Sequence, residues 1–162
     1  MDLLLAQLAP RTGDVAANVR RMREVLAADR ADLAIFPELY LSGYRVGDRI
    51  HRLALAPEDE TLRALGAIAK KWKGTIAVGA PRRSPLRPGE VENTVLLVRP
   101  DGSIDWQVKR YLPTYGPFEE GVFYTPAERS RPLTVGSHPV GFEICYDAFF
   151  PEVSRELGMN GA

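Results

Sequence analysis

Three residues in this 162-residue chain combine a reactive side chain with a position that could use it. Glu38 follows the apolar run Leu33 to Phe36, and Pro37 ends that run. Its carboxylate therefore stands at the C-terminal end of a buried strand, which is where layered α/β folds tend to build their sites. A carboxylate there, with apolar surroundings on one side, suits a general base. Lys109 stands at or just past the end of another strand, Ile104 to Val108, in a chain with only four lysines. Arg110 follows directly, so a generic positive charge was already available. A compact ammonium differs chemically from a planar guanidinium and fits beside an oxyanion forming at one tetrahedral carbon. Cys145 ends the run Val140 to Ile144 and reads as a strand-to-helix corner. Backbone amides and the positive end of a helix would lower its thiol pKa there and offer an oxyanion hole. Taken singly, each residue also has a plain structural reading: a turn glutamate, a rim lysine and an inert core cysteine.

The elements that must hold these groups follow from periodicity. Leu3 to Leu8 reads as a buried strand. Asp14 caps a helix whose stripe is Val15, Val19, Met22 and Leu26, running to about Asp29. A second helix is expected from Pro57, with Glu58, Asp59 and Glu60 at its positive end. Lys70, Lys71 and Lys73 lie at its negative end, Leu62, Leu65, Ile68 and Trp72 form its buried stripe, and Gly74 is its closing residue. Thr75 to Ala80, Val91 to Val98 and Ile104 to Val108 read as strands, with Pro100-Asp101-Gly102 as a hairpin turn. Pro81 to Pro88 reads as an exposed loop, and Tyr111 to Arg131 as a long irregular aromatic segment. Leu133 to Val135 and Val140 to Cys145 read as strands around Gly136-Ser137, and Phe149 to Leu157 as the opening of a helix. Helices alternate with strands early and strands pair as hairpins late, which predicts a single mixed α/β layered domain over residues 1–162.

Composition narrows the function. Lys plus Arg and Asp plus Glu each number 21, so the formal net charge is zero, which argues against nucleic acid or an anionic membrane as partner. One cysteine and two distant histidines, His51 and His138, give no zinc spacing and no intrachain disulfide. A redox thiol would lack a resolving cysteine. Gly13, Gly43 and Gly47 match no phosphate-binding fingerprint. The apolar start, Leu3 to Leu8, is too short for a signal peptide or a membrane span, so a cytoplasmic location is expected.

Together the segments resemble the nitrilase, or carbon–nitrogen hydrolase, superfamily over the whole chain. Phe36-Pro37-Glu38-Leu39 with Gly43-Tyr44 is similar to its glutamate box, and Lys109 through Glu120 to its lysine box. Gly141-Phe142-Glu143-Ile144-Cys145-Tyr146-Asp147 with Phe150-Pro151-Glu152 is similar to its cysteine box. The resemblance implies Glu38 as general base, Lys109 as stabiliser of the tetrahedral intermediate, Cys145 as nucleophile and the amide of Tyr146 in the oxyanion hole. It also implies a second glutamate after the lysine; Glu120 is preferred over Glu119 because Gly121-Val122-Phe123-Tyr124 follows it. The implied fold is a four-layer α-β-β-α sandwich, of which this chain looks like the N-terminal part, stopping shortly after the cysteine corner. The implied reaction turns a small amide into acid and ammonia without metal or organic cofactor. The lysine box is similar to those of amidases and of the glutamine-hydrolysing domains of NAD synthetases. Two alternatives stand beside this: a catalytically dead scaffold that binds a partner, and a glutamine-hydrolysing unit serving a synthetase. Phe149, Phe150, Val153 and Leu157 form an apolar stripe that is expected to pair two copies of the chain.

Overall fold

A computed structural model describes residues 1–162. Five strands lie side by side in sequence order: β1 (Leu3–Leu5), β2 (Leu33–Ile35), β3 (Thr75–Arg83), β4 (Val91–Val98) and β5 (Ile104–Val108). β1, β2 and β3 are parallel, so each join needs a crossover, supplied by α1 (Val15–Ala28) and by α2 (Ile50–Leu53) with α3 (Glu60–Trp72). β3, β4 and β5 are antiparallel and need only turns. Alternation along the strands then sorts the core. Ala34, Ile76, Val78, Leu96 and Val98 meet the stripes of α1 and α3 on one face. Leu33, Ala77, Val95 and Leu97 turn the other way, onto Leu133, Val135 and Ile144. Leu133 and Val135 belong to β6 (Leu133–Val135), which pairs with β7 (His138–Val140) as a separate two-stranded sheet. The layers are therefore helices, large sheet and small sheet. A short α4 (Glu120–Phe123) and a final α5 (Pro151–Met159) complete the chain.

Five boundaries depart from the sequence reading, each for a local reason. β1 is short, and Leu3 and Leu5 stay exposed, because β1 is the sheet edge and only Leu4 turns toward the helices. α3 begins at Glu60 rather than near Pro57, because the Asp59 carboxylate caps it by accepting from Thr61 N at 2.8 Å. Its closing left-handed residue is Lys73, with φ 65°, not Gly74. Gly74 instead lies under the Trp72 ring, where a Cβ would sit 2.3 Å from the indole. α5 begins at Pro151, and its Val153 and Leu157 are buried inside this chain, Leu157 lying against Gly141. The stripe expected to be bare is thus mostly covered, and only Phe149 remains widely exposed, at 77%.

The fifth departure is the largest. β3 continues through Pro81 to Arg83, so the first part of the expected exposed loop is strand, with Pro81 and Arg82 buried and Arg83 exposed. Pro81 fits because its carbonyl accepts from Leu55 N at 3.0 Å. Arg82 lies 3.6 Å above the Trp106 ring and 2.8 Å from Glu92, which neutralises and stacks a charge that would otherwise stay in water. Its Nε and Nη1 nevertheless find no hydrogen-bond partner. A buried pair satisfied this incompletely resists removal of one member more than removal of both. Arg82→Ala should lower stability in urea unfolding by about 3–5 kcal/mol, whereas Arg82→Met with Glu92→Leu should recover most of that loss.

Candidate active site

The turn that carries Glu38 lies directly on β3. Phe36 N donates to Ala77 O at 2.8 Å, Gly79 N to Pro37 O at 3.2 Å, and Leu41 N to Gly79 O at 3.1 Å. A Cβ at position 79 would sit 2.3 Å from Leu39 N and 2.6 Å from Glu38 Cα, so only glycine lets the turn pass this close. Leu39 takes a left-handed φ of 51° to reverse the chain, and its side chain is fully buried.

Lys109 follows β5, its N–H donating to Asn93 O at 2.8 Å, and it is 0% exposed. Its Nζ lies 2.7 Å from Glu38 Oε1 and 2.7 Å from Glu120 Oε2. Glu120 opens α4, where its N–H donates to Pro113 O at 3.1 Å, and its Oε1 accepts from Tyr44 OH at 2.7 Å. Asn93 Nδ2 donates to Glu38 Oε1 at 2.8 Å. The core of the site is therefore one ammonium between two carboxylates, with Glu119 pointing out into solvent.

This cluster is short of one positive charge, and its protons are held accordingly. Burial pulls the Lys109 ammonium down, but the charges and hydrogen bonds of Glu38 and Glu120 outweigh it and leave the group above its ordinary value. Burial raises the Glu120 carboxyl, and its hydrogen bonds from Lys109 and Tyr44 offset this only in part. Burial and the bond to Glu120 push the Tyr44 phenol far up, so it stays a neutral donor.

Cys145 does not end a strand. β7 stops at Val140, and the chain from Gly141 to Ile144 is pinned by side chains instead. Gln107 Nε2 donates to Phe142 O, and Asp147 accepts from Ile144 N at 3.2 Å. Asp147, fully buried, also accepts from Tyr111 N at 2.8 Å and Arg110 N at 3.1 Å. One carboxylate therefore ties the cysteine corner to the backbone that follows Lys109. Cys145 is exposed, has a left-handed φ of 51°, and opens a 3-10 turn of five residues. The expectation of a lowered thiol pKa is overturned. Burial and the Glu38 carboxylate, through its charge and its hydrogen bond, push the thiol up, and Lys109 counters only in part. So short a turn carries little dipole, whereas the carboxylate faces the sulfur. The arrangement is a thiol with a carboxylate beside it.

Around this corner runs a string of rings. Tyr146 lies 5.7 Å from Tyr115, 5.6 Å from Phe149 and 5.1 Å from Phe150, and Tyr115 continues to Phe118 at 5.6 Å. No cluster of three or more His, Cys, Asp or Glu side chains forms a metal site. All residues singled out from the sequence, Glu38, Lys109, Glu120, Cys145 and Tyr146, thus fall in one neighbourhood. Sequence reasoning missed Gly79, Asn93 and Asp147. Only Asn93 left a usable signal, as a polar residue inside a strand buried along its whole length.

The model of the carbon–nitrogen hydrolase family matches residues 5–162. An (R)-stereoselective amidase of a Pseudomonas species is 33% identical over 164 residues, covering all of this chain and 57% of that protein. A glutamine-dependent NAD(+) synthetase of Thermotoga maritima is 31% identical, covering 99% of this chain and 28% of that one. Among solved structures, a variant of the amidase from Nesterenkonia sp. AN1, in which acrylamide has added to the active-site cysteine, gives a TM-score of 0.84 at 25% identity. It covers all of this chain and 64% of that one. The chain therefore spans a little over half the length of the amidases it matches.

The electrostatics of the thiol can be checked by alkylation. The rate of Cys145 alkylation by iodoacetamide should rise with pH to a midpoint above the ~8.5 of an ordinary thiol. Glu38→Gln removes the facing negative charge and should move that midpoint down. A midpoint at or below that of glutathione in the unaltered chain would show that Glu38 does not face the sulfur.

Proposed function

This chain belongs to the carbon–nitrogen hydrolase family, and on that footing we propose that it carries the catalytic set of an amide hydrolase, with Cys145 as nucleophile. The observation that carries the reading is the buried Glu38–Lys109–Glu120 cluster at the Cys145 thiol, which stands on a left-handed corner. Glu38 takes the thiol proton as sulfur attacks the carbon of a small amide. Lys109 and the backbone N–H of Tyr146 hold the oxyanion. The tetrahedral intermediate collapses, ammonia leaves with the proton returned by Glu38, and an acyl thioester remains on Cys145. Glu38 then takes a proton from water as it attacks the thioester; the C–S bond breaks, the acid leaves, and Glu38 returns that proton to the Cys145 sulfur. Glu120 keeps the Lys109 ammonium charged and aimed, and Tyr44 fixes Glu120. These steps use side chains, one backbone N–H and a water. The relatives named above, an amidase and a glutamine-dependent synthetase, support a small amide that releases ammonia as substrate class. No helix is long and apolar enough to cross a membrane.

Ammonia release from small amides tests the roles. Glu38→Gln should cut turnover by about 10²–10⁴-fold even as the thiol becomes easier to ionise, because the base is lost while the nucleophile is not. Glu120→Gln should lower turnover far more than Glu119→Gln. Equal effects of the two would remove Glu120 from the site.

We further propose that two copies pair through the aromatic surface of Tyr146, Phe149 and Phe150, of which Phe149 is the most exposed. A ring this open, beside the cysteine corner, is more stable covered. Sedimentation at micromolar concentration should show a dimer, and Phe149→Ser should shift it toward monomer. A monomer before substitution would refute this pairing.

A further inference from the structure

The two oxygens of Glu38 are not equivalent. Oε1 accepts from Lys109 Nζ at 2.7 Å and from Asn93 Nδ2 at 2.8 Å, which uses the lone pairs of that oxygen. We propose that Asn93 is a positioning residue for the general base: with Lys109 it occupies Oε1, leaving Oε2 as the oxygen that takes the proton of Cys145. The inference rests on Glu38 being the base. As sulfur attacks the amide carbon, the Sγ–H bond breaks, the proton passes to Oε2 and the S–C bond forms. Oε1 stays on its two donors throughout.

Asn93 is built for this and poorly built for anything else. It is fully buried on β4, and its main-chain carbonyl accepts the N–H of Lys109. One residue therefore sets both the backbone of the lysine and the side chain of the glutamate. Its Oδ1 is buried without a partner. A buried unpaired acceptor is destabilising, so this amide is kept at a cost that its Nδ2 contact with Glu38 must offset. The orientation is fixed all the same, because a flipped amide would set Oδ1 against Oε1, acceptor against acceptor.

Leucine is close to asparagine in shape, cannot donate, and removes the orphaned oxygen. The test is iodoacetamide alkylation of Cys145 across the neutral and alkaline range, with thermal melting, on the full chain. In Asn93→Leu the melting temperature should hold or rise. Glu38 should swing from the sulfur, so the alkylation midpoint falls part of the way toward that of Glu38→Gln. At about pH 8 the rate should rise by about two- to fivefold. Asn93→Asp keeps the shape but sets a like charge against Glu38 and should move the midpoint up, which keeps the test open if the leucine variant folds poorly. If Glu38→Gln moves the midpoint while Asn93→Leu only lowers the melting temperature, Asn93 is structural and this inference fails alone. If Glu38→Gln moves nothing, the general-base reading fails first and this inference with it.

Discussion

An ammonium sealed from water between two carboxylates is the constraint on which the rest of this structure depends. Lys109 has no exposed surface, and taking a charge out of water costs several kcal/mol unless partners replace its hydration. Glu38 and Glu120 replace it at 2.7 Å each. Those two carboxylates, Glu38 and Glu120, are far apart in the chain, so it can bury the lysine only when the β2 turn, the end of β5 and the start of α4 have all reached their final places. The ion cluster thereby reports on the fold as a whole. An error in any of the three elements leaves an unpaired charge in the interior, which is among the most destabilising defects a small domain can carry.

Two less conspicuous residues translate that constraint into geometry. Gly79 lets the Glu38 turn lie on β3 at backbone contact, so the carboxylate inherits the rigidity of a central strand. Asp147 gathers three N–H groups from two separate segments and so fixes the cysteine corner relative to Lys109. Glu38, Lys109 and Cys145 are thus held by three different segments, each tied to the next through a side chain. Positioning of this kind is what the proposed chemistry requires.

What the sequence revealed of this and what it hid have physical causes. Strand and helix identities were legible where the pattern was strong, as in the stripe of α1 and the apolar run of β4, and Glu38, Lys109 and Cys145 stood out by the short motifs around them. Arg82 was misplaced because proline and arginine together suggest an exposed loop, and nothing local announces that Trp106 and Glu92 wait on neighbouring strands. Cys145 was expected to be acidic because its neighbours in sequence suggest a helix terminus. What raises its proton affinity is burial and then the charge of Glu38, more than a hundred positions away. Asn93 and Gly79 escaped for the same reason: their roles consist of contacts with a turn made forty or more residues before Asn93 and wholly across strands.

The left-handed backbone at Cys145 bears on how this position can change over time. A side chain held at positive φ costs on the order of 1 kcal/mol that glycine would not incur. At this corner the backbone and the chemistry therefore pull in opposite directions: conformational preference favours glycine, and only a requirement for sulfur favours cysteine. A scaffold freed from chemistry would gain stability by the first substitution that drifted toward the smaller residue. The thiol here sits where a neutral random walk would soon remove it, and the corner keeps it at a standing energetic disadvantage.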